Sequence, residues 1–348
     1  MFDCLCSRVL GSHLQAKCHR SRSVIRSGVS VTQIRTKKSK VAKALTSESL
    51  SELSYTVFAG DARDLVQELL PKSVQSVVTS PPYWGLRSYG AESEIGAEAT
   101  IDEYLDAVSA VFNAVKEVLC DDGVVWLVIG DSYTSGNRRY RDADRLHVHR
   151  EMTTRPKTPK GLKPKDLLGL PWRVAFRLQA DGWYLRSESI WHKLNPIPES
   201  VKDRPHQSHE HIFLLSKSAK YFFDWNALKQ YDSQRLRPSR SVWAASVNTG
   251  ISGHAAPFPL ELVKPCLMAS TRPGDLVLDP FAGSGSVGVA CKELDRSFVG
   301  IELITKNVLL AETRINQAVS HQMQFPEPVA TSPAPRRRKA ERAVGVME

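Results

Sequence analysis

From about residue 54 to residue 319 the chain alternates short apolar runs with stretches whose apolar positions recur at helical spacing. The run GVVWLVIGD (123–131) is apolar nearly throughout, as strands covered on both faces are, and VQSVVTS (74–80) reads as a second buried strand. YTVFAGDA (55–62), WYLRSESIWHK (183–193), HEHIFLLSKS (209–218), DLVLDP (275–280) and SFVGIEL (297–303) supply further strands. Helical periodicity falls on residues 62–70, 100–120, 170–182, 259–270, 286–294 and 305–319. The helix from residue 100 opens with Thr100 followed three residues later by Glu103, the signature of a capping box. Residues from about 219 to Ile251 show neither period and read as irregular. Strands alternating with helices predict an α/β fold, a doubly wound, mostly parallel sheet with helices on both faces.

Charge changes this picture mainly at the ends. The net charge of the 348 residues is +10, but residues 1–47 hold ten Lys or Arg against the single acid Asp3. That segment reads as a basic, disordered arm or a transit peptide, and the Pro- and Ala-rich residues 322–348 as a disordered tail, leaving a folded body over residues 48–321. The body is close to neutral, with one exception: residues 135–165 carry ten Lys or Arg against Asp142, Asp144 and Glu151. Such a segment is either a solvated surface loop or one ordered by a polyanion. No apolar run is long enough to span a membrane. The six cysteines are scattered without a CxxC pair, and four of the ten histidines fall irregularly between residues 192 and 211. Neither a disulfide framework nor a metal site is expected, and the default compartment is a reducing cytoplasm.

Two short stretches carry candidate chemistry. In DPFAGSGSVG (279–288), Gly283, Gly285 and Gly288 sit between a strand and a helix, where glycines let backbone approach a ligand. Glu302 follows Asp279 by 23 residues, at the end of the next strand, where a carboxylate can hold the ribose hydroxyls of a nucleoside cofactor. Only one more strand and helix fit after this loop, so earlier strands must complete the sheet and the topology is permuted. The strand 74–80 runs into Ser80-Pro81-Pro82-Tyr83, with Trp84 beyond it. Proline ends a strand because it lacks an N–H. In such sheets ligands sit at the carboxyl ends of strands, so this loop is expected beside the cofactor.

Together these motifs resemble the S-adenosylmethionine-dependent DNA amino-methyltransferases of the permuted β-type order, over roughly residues 54–316. The resemblance implies a Rossmann-like methyltransferase fold, circularly permuted, with target-recognition inserts near 132–168 and 225–252. It implies S-adenosyl-L-methionine as cofactor, held by Asp61, Phe258, Asp279, Phe281, Gly283, Gly285 and Glu302. Ser80, Pro81, Pro82 and Tyr83 become the catalytic loop, and Trp84, Trp191, Lys193 and Asn195 the groups near the target base or DNA. Tyr83 is the expected stacking platform for a flipped base, worth ~1–3 kcal/mol. Asp131, ending another core strand, is a further candidate to line the pocket. The Ser80 hydroxyl and the Pro81 carbonyl would accept the hydrogens of an exocyclic amine whose lone pair is otherwise delocalised into the base ring.

Serine at the first motif position resembles the cytosine-N4 type, with adenine-N6 as the alternative. The expected partner is double-stranded DNA, with a cognate restriction endonuclease as functional counterpart in a bacterium or phage. Monomer and dimer both remain open. Methylation of RNA or of a protein amide, and a non-catalytic DNA-binding role, are the competing readings.

Overall fold

The computed structural model describes residues 54–86, 94–134, 157–232, 236–247 and 258–320. The expected basic arm, the tail and most of the basic insert lie outside them. Eight strands form one sheet among the described residues: β1 (Tyr55–Ala59), β2 (Val74–Thr79), β3 (Leu119–Ile129), β4 (Tyr184–Lys193), β5 (His209–Ser216), β6 (Val242–Ala245), β7 (Leu276–Asp279) and β8 (Ser297–Glu302). Their order is β1-β8-β7-β2-β3-β5-β4-β6. The five strands from β1 to β3 run parallel, β5 is antiparallel to both its neighbours, and β6 pairs parallel with β4.

Side chains alternate between two cores, as a pleated strand requires. Val77, Val125, Leu127, Leu278 and Val299 face one core, where α1 (Ala62–Leu65), α2 (Ile101–Val118) and α3 (Leu170–Ala180) pack. Val78, Val124, Trp126, Val277 and Phe298 face the other, covered by α4 (Trp225–Gln230), α5 (Leu260–Ser270), α6 (Ser286–Glu293) and α7 (Thr305–Gln317). This double cover leaves all six residues of β2 and the last seven of β3 buried, the polar Gln75, Ser76 and Thr79 among them. The capping box of α2 is present: Thr100 Oγ1 accepts from the Glu103 amide, and the Glu103 carboxylate accepts from the Thr100 amide.

The segment expected to be irregular departs from expectation. Residues 225–247 include α4 and β6, and Leu228, Leu236, Trp243, Ala245 and Val247 are buried in the second core. The four-residue β6 is too short to show a period, and it exists through pairing with β4, some fifty residues earlier. This stretch of the expected recognition insert is therefore an edge of the sheet.

Chain order places the site. From β2 the chain crosses by α2 to β3 on one side, and from β7 by α6 to β8 on the other. β2 and β7 are neighbours, so their carboxyl ends flank the point where the winding reverses, the usual place for a ligand crevice.

Candidate active site

One cleft opens over the carboxyl ends of β1, β2, β7 and β8. It is lined by Asp61, Ser80, Pro81, Pro82, Tyr83, Trp191, Lys193, Phe258, Asp279, Phe281, Gly283 and Glu302 among others. Tertiary structure thus gathers residues drawn from positions 61 to 302 of the chain.

The side beneath β7 and β8 is built largely from backbone. Gly285 caps α6 with φ 76°, and a Cβ there would stand 2.7 Å from Ala311 Cβ. A Cβ on Gly288 would lie 2.4 Å from Ile315 Cδ1 and 2.7 Å from the Phe298 ring. These glycines seat α6 on α7 and β8, and Gly285 is not among the residues lining the cleft. Gly283 does line it, and its amide donates to Glu302 Oε2 at 2.9 Å. Glu302 Oε1 accepts from the Ile304 amide and from Asn307 Nδ2. The carboxylate is thereby held at the rim with lone-pair capacity remaining on Oε2.

Asp279 is buried, and Oδ1 takes both of its bonds, from Thr79 Oγ1 at 2.6 Å and from the Phe281 amide at 3.0 Å. Burial pushes its pKa up to about 7, against the lowering effect of those bonds, and the Glu302 charge adds to the rise. The Thr79 bond ties the end of β2 to the end of β7. Asp61 lines the cleft as the N-cap of α1, accepting from the Arg63 amide, but its carboxylate is also gripped by the Arg63 guanidinium. Burial works to raise its pKa, and the Arg63 bonds and charge outweigh that and lower it.

On the β2 side, the Pro82 carbonyl accepts from Tyr104 Oη at 2.9 Å, which fastens the loop to α2. Tyr104 is fully buried and was not singled out from sequence, where it reads as one more apolar position of the helix. Ser80 Oγ lies 3.3 Å from Tyr83 Oη, which donates to Glu210 Oε2 at 2.9 Å. Glu210 Oε1 in turn meets Lys193 Nζ at 2.5 Å. Burial first, and the Glu210 charge second, hold the Tyr83 phenol well above its ordinary pKa, so it stays protonated. Glu210 is the main residue the sequence reading missed: on a strand with alternating polarity it looks like a solvated side chain.

The remaining expectations divide. Trp84 does not wall the cleft; it is 3 % exposed, packs in the first core and donates from Nε1 to the Glu98 carbonyl. A large apolar ring one residue past the loop is more stable buried than presented to solvent. Trp191 does both jobs, lining the cleft while its body is buried and its Nε1 donates to the Ala245 carbonyl. Phe258 approaches it, with ring centroids 6.5 Å apart. Asn195 is outside the cleft lining and bridges to Val247, donating from Nδ2 to its carbonyl and accepting at Oδ1 from its amide. Asp131 turns away as well: its Oδ1 accepts from the Ser132 and Leu170 amides, at the start of α3. Among the described residues no group of His, Cys, Asp and Glu is arranged to hold a metal ion, and no helix is long and apolar enough to cross a membrane.

Known proteins share this architecture. The PvuII DNA methyltransferase (cytosine-N4-specific) superposes with a TM-score of 0.57 at 20% identity, over 76% of this chain and 88% of that one. TTHA0409 from Thermus thermophilus, solved with S-adenosyl-L-methionine, gives a TM-score of 0.52 at 25% identity, covering 77% and 96%. In sequence, the type II methyltransferase M.Cfr9I of Citrobacter freundii is 51% identical over 276 residues, 79% of this chain and 92% of that protein. M.SmaI of Serratia marcescens is 51% identical over 265 residues, covering 75% and 91%. A family model described as DNA methylase, for the N6 and N4 enzymes, matches residues 74–313. A permuted sheet, a Ser-Pro-Pro-Tyr loop facing a glycine loop across its switch point, and relatives half identical along most of their length all agree: this chain belongs to the N6/N4 DNA methylase family.

Proposed function

We propose that the chain methylates the N4 amine of cytosine in duplex DNA, as the modification enzyme of a type II restriction–modification system. Its being a DNA methyltransferase dependent on S-adenosyl-L-methionine rests on the family and on the likeness to TTHA0409. The assignment to cytosine N4 is carried by one observation: the first position of the catalytic loop is Ser80, whose hydroxyl lies in the cleft beside Tyr83.

The cleft suits the cofactor. Glu302 retains acceptor capacity for a ribose hydroxyl, Phe258 and Phe281 offer apolar surface, and Asp279 offers a carboxyl group at the mouth of β7. The bound cofactor supplies an electrophilic methyl group on a sulfonium. The protein's part is to present the acceptor. An amine inside a duplex is unreachable, so the base must leave the stack and enter the cleft, where the Tyr83 ring can support it. Ser80 Oγ and the Pro81 carbonyl then accept the two amine hydrogens and aim the nitrogen lone pair. The two prolines and the Tyr104 bond to Pro82 hold that carbonyl in place before the base arrives, which lowers the reorganisation needed for reaction. Lys193 and Trp191 also line the cleft, which supports a role for them beside the incoming base.

Incubation with the cofactor and duplex DNA, followed by nucleoside mass spectrometry, tests the assignment. N4-methylcytosine is expected; N6-methyladenine in its place would overturn the choice of base while leaving the family untouched.

A further inference from the structure

The contacts of Tyr83 impose a direction on the protons in the cleft. A phenol has one hydrogen to donate, and Tyr83 gives it to Glu210 Oε2. Ser80, 3.3 Å away, must therefore be the donor in its contact with Tyr83 Oη. With its own hydrogen directed inward, Ser80 Oγ can only accept from a group arriving in the cleft. Lys193 holds the other carboxylate oxygen of Glu210, and both side chains are largely shielded, at 21% and 14% exposure. The bond between Tyr83 and Glu210 also depends on a missing side chain. A Cβ on Gly130 would stand 3.0 Å from Tyr83 Cε2 and 3.2 Å from Glu210 Cδ and Cγ.

We propose that Glu210 is a positioning residue and the proton sink of the reaction, acting through Tyr83 on Ser80, with Lys193 and Gly130 holding it in register. The proposal rests on the amino-methyl transfer proposed above. When the amine nitrogen bonds to the methyl carbon, the carbon–sulfur bonding pair stays with sulfur, and nitrogen becomes cationic with one proton in excess. That proton passes to Ser80 Oγ, the Ser80 proton to Tyr83 Oη, and the Tyr83 proton to Glu210 Oε2, which releases it to solvent. Each oxygen gives one proton and gains one, so Ser80 and Tyr83 end as they began. Ser80 alone would retain a charge it cannot hold at neutral pH, because an alcohol is a poor terminal base.

Single-turnover methyl transfer to duplex DNA by Glu210→Gln, Tyr83→Phe and the double variant tests the chain of bonds. General-base assistance is typically worth about 10²–10⁴-fold, so each single variant should slow the chemical step by at least about tenfold. Cofactor affinity and the KM for DNA should stay within about threefold, because neither variant removes a group bound to the cofactor or DNA backbone. The double variant should be no slower than the slower single one, since both cut the same relay. Should Glu210→Gln fail to fold, Gly130→Ala reports on the same register and should slow transfer while keeping cofactor affinity. An unimpaired Glu210→Gln, multiplicative losses in the double variant, or a defect confined to cofactor binding or KM would each overturn the proposal. Absence of methylated DNA with the wild-type protein would instead sink the proposed function itself.

Discussion

The two walls of the cleft are built differently. On the wall formed by β7 and β8, backbone amides and close-packed glycines do most of the work: Gly283 and Ile304 donate to Glu302, and Gly285 and Gly288 let α6 seat against α7 and β8. The partners lie within about thirty residues of one another. On the wall formed by β2, β4 and β5, side chains do the work: Ser80, Tyr83, Lys193 and Glu210 form one hydrogen-bonded series spanning 130 positions of the chain. Backbone cradles suit a ligand that never changes, such as a cofactor. Side-chain networks suit proton handling and recognition, since a substitution can alter them without moving the sheet.

Walls built so differently should fail differently. The largest effect is expected from Ser80→Ala. Loss of an acceptor aimed at the reacting amine should lower the methyl-transfer rate by about 10²-fold or more. Calorimetric cofactor binding should change by less than about twofold; weakened binding would mean that the walls are not separable. Gly288→Val should break the other wall. Its side chain would collide with Ile315 and the Phe298 ring, so a loss of about 2–4 kcal/mol in urea unfolding is expected, together with loss of cofactor binding.

Asp279 ties the two walls together and gives a pH signature. Its folded pKa of about 7 lies above the unfolded value of 3.8, so the folded state holds the proton more tightly. The apo protein should therefore lose stability as pH rises from about 4 to about 7, by an amount on the order of a few kcal/mol, and level off above that. Asp279→Asn, which keeps an acceptor for Thr79 and Phe281, should flatten that slope in thermal melts at fixed ionic strength. An unchanged slope would place its origin elsewhere.

The smallest effect is expected at the outer edge. Asn195→Ala removes two bonds to Val247, worth roughly 1–2 kcal/mol together. Local loosening of β4 against the segment after β6 should raise the KM for DNA several-fold and leave cofactor affinity alone. An effect on cofactor affinity as large as that on KM would blur the distinction between the walls.

Legibility followed the same division. The parallel strands and their helices were readable because burial on both faces favours apolar runs such as Gly123–Ile129, and the capping box of α2 stands in four consecutive residues. β6 was not readable, because four residues carry no usable period and its partner is far away in sequence. Among site residues, the glycine loop and Ser80-Pro81-Pro82-Tyr83 announced themselves as local strings. Trp84 was misplaced, since a string cannot say on which side of the loop a ring falls. Asp61 shows another limit: the local motif is there, but Arg63, two residues on, occupies its carboxylate.

Sequence alone determined the fold class, the permuted order and the two loops, because hydrophobic period, proline and glycine act over a few residues. Tertiary structure decided that Glu210 meets Tyr83, that Tyr104 grips Pro82, and that Asp131 serves α3 rather than the cleft. Those contacts depend on register between strands and on which face a side chain takes. A one-residue slip would reverse that face without changing the composition at all.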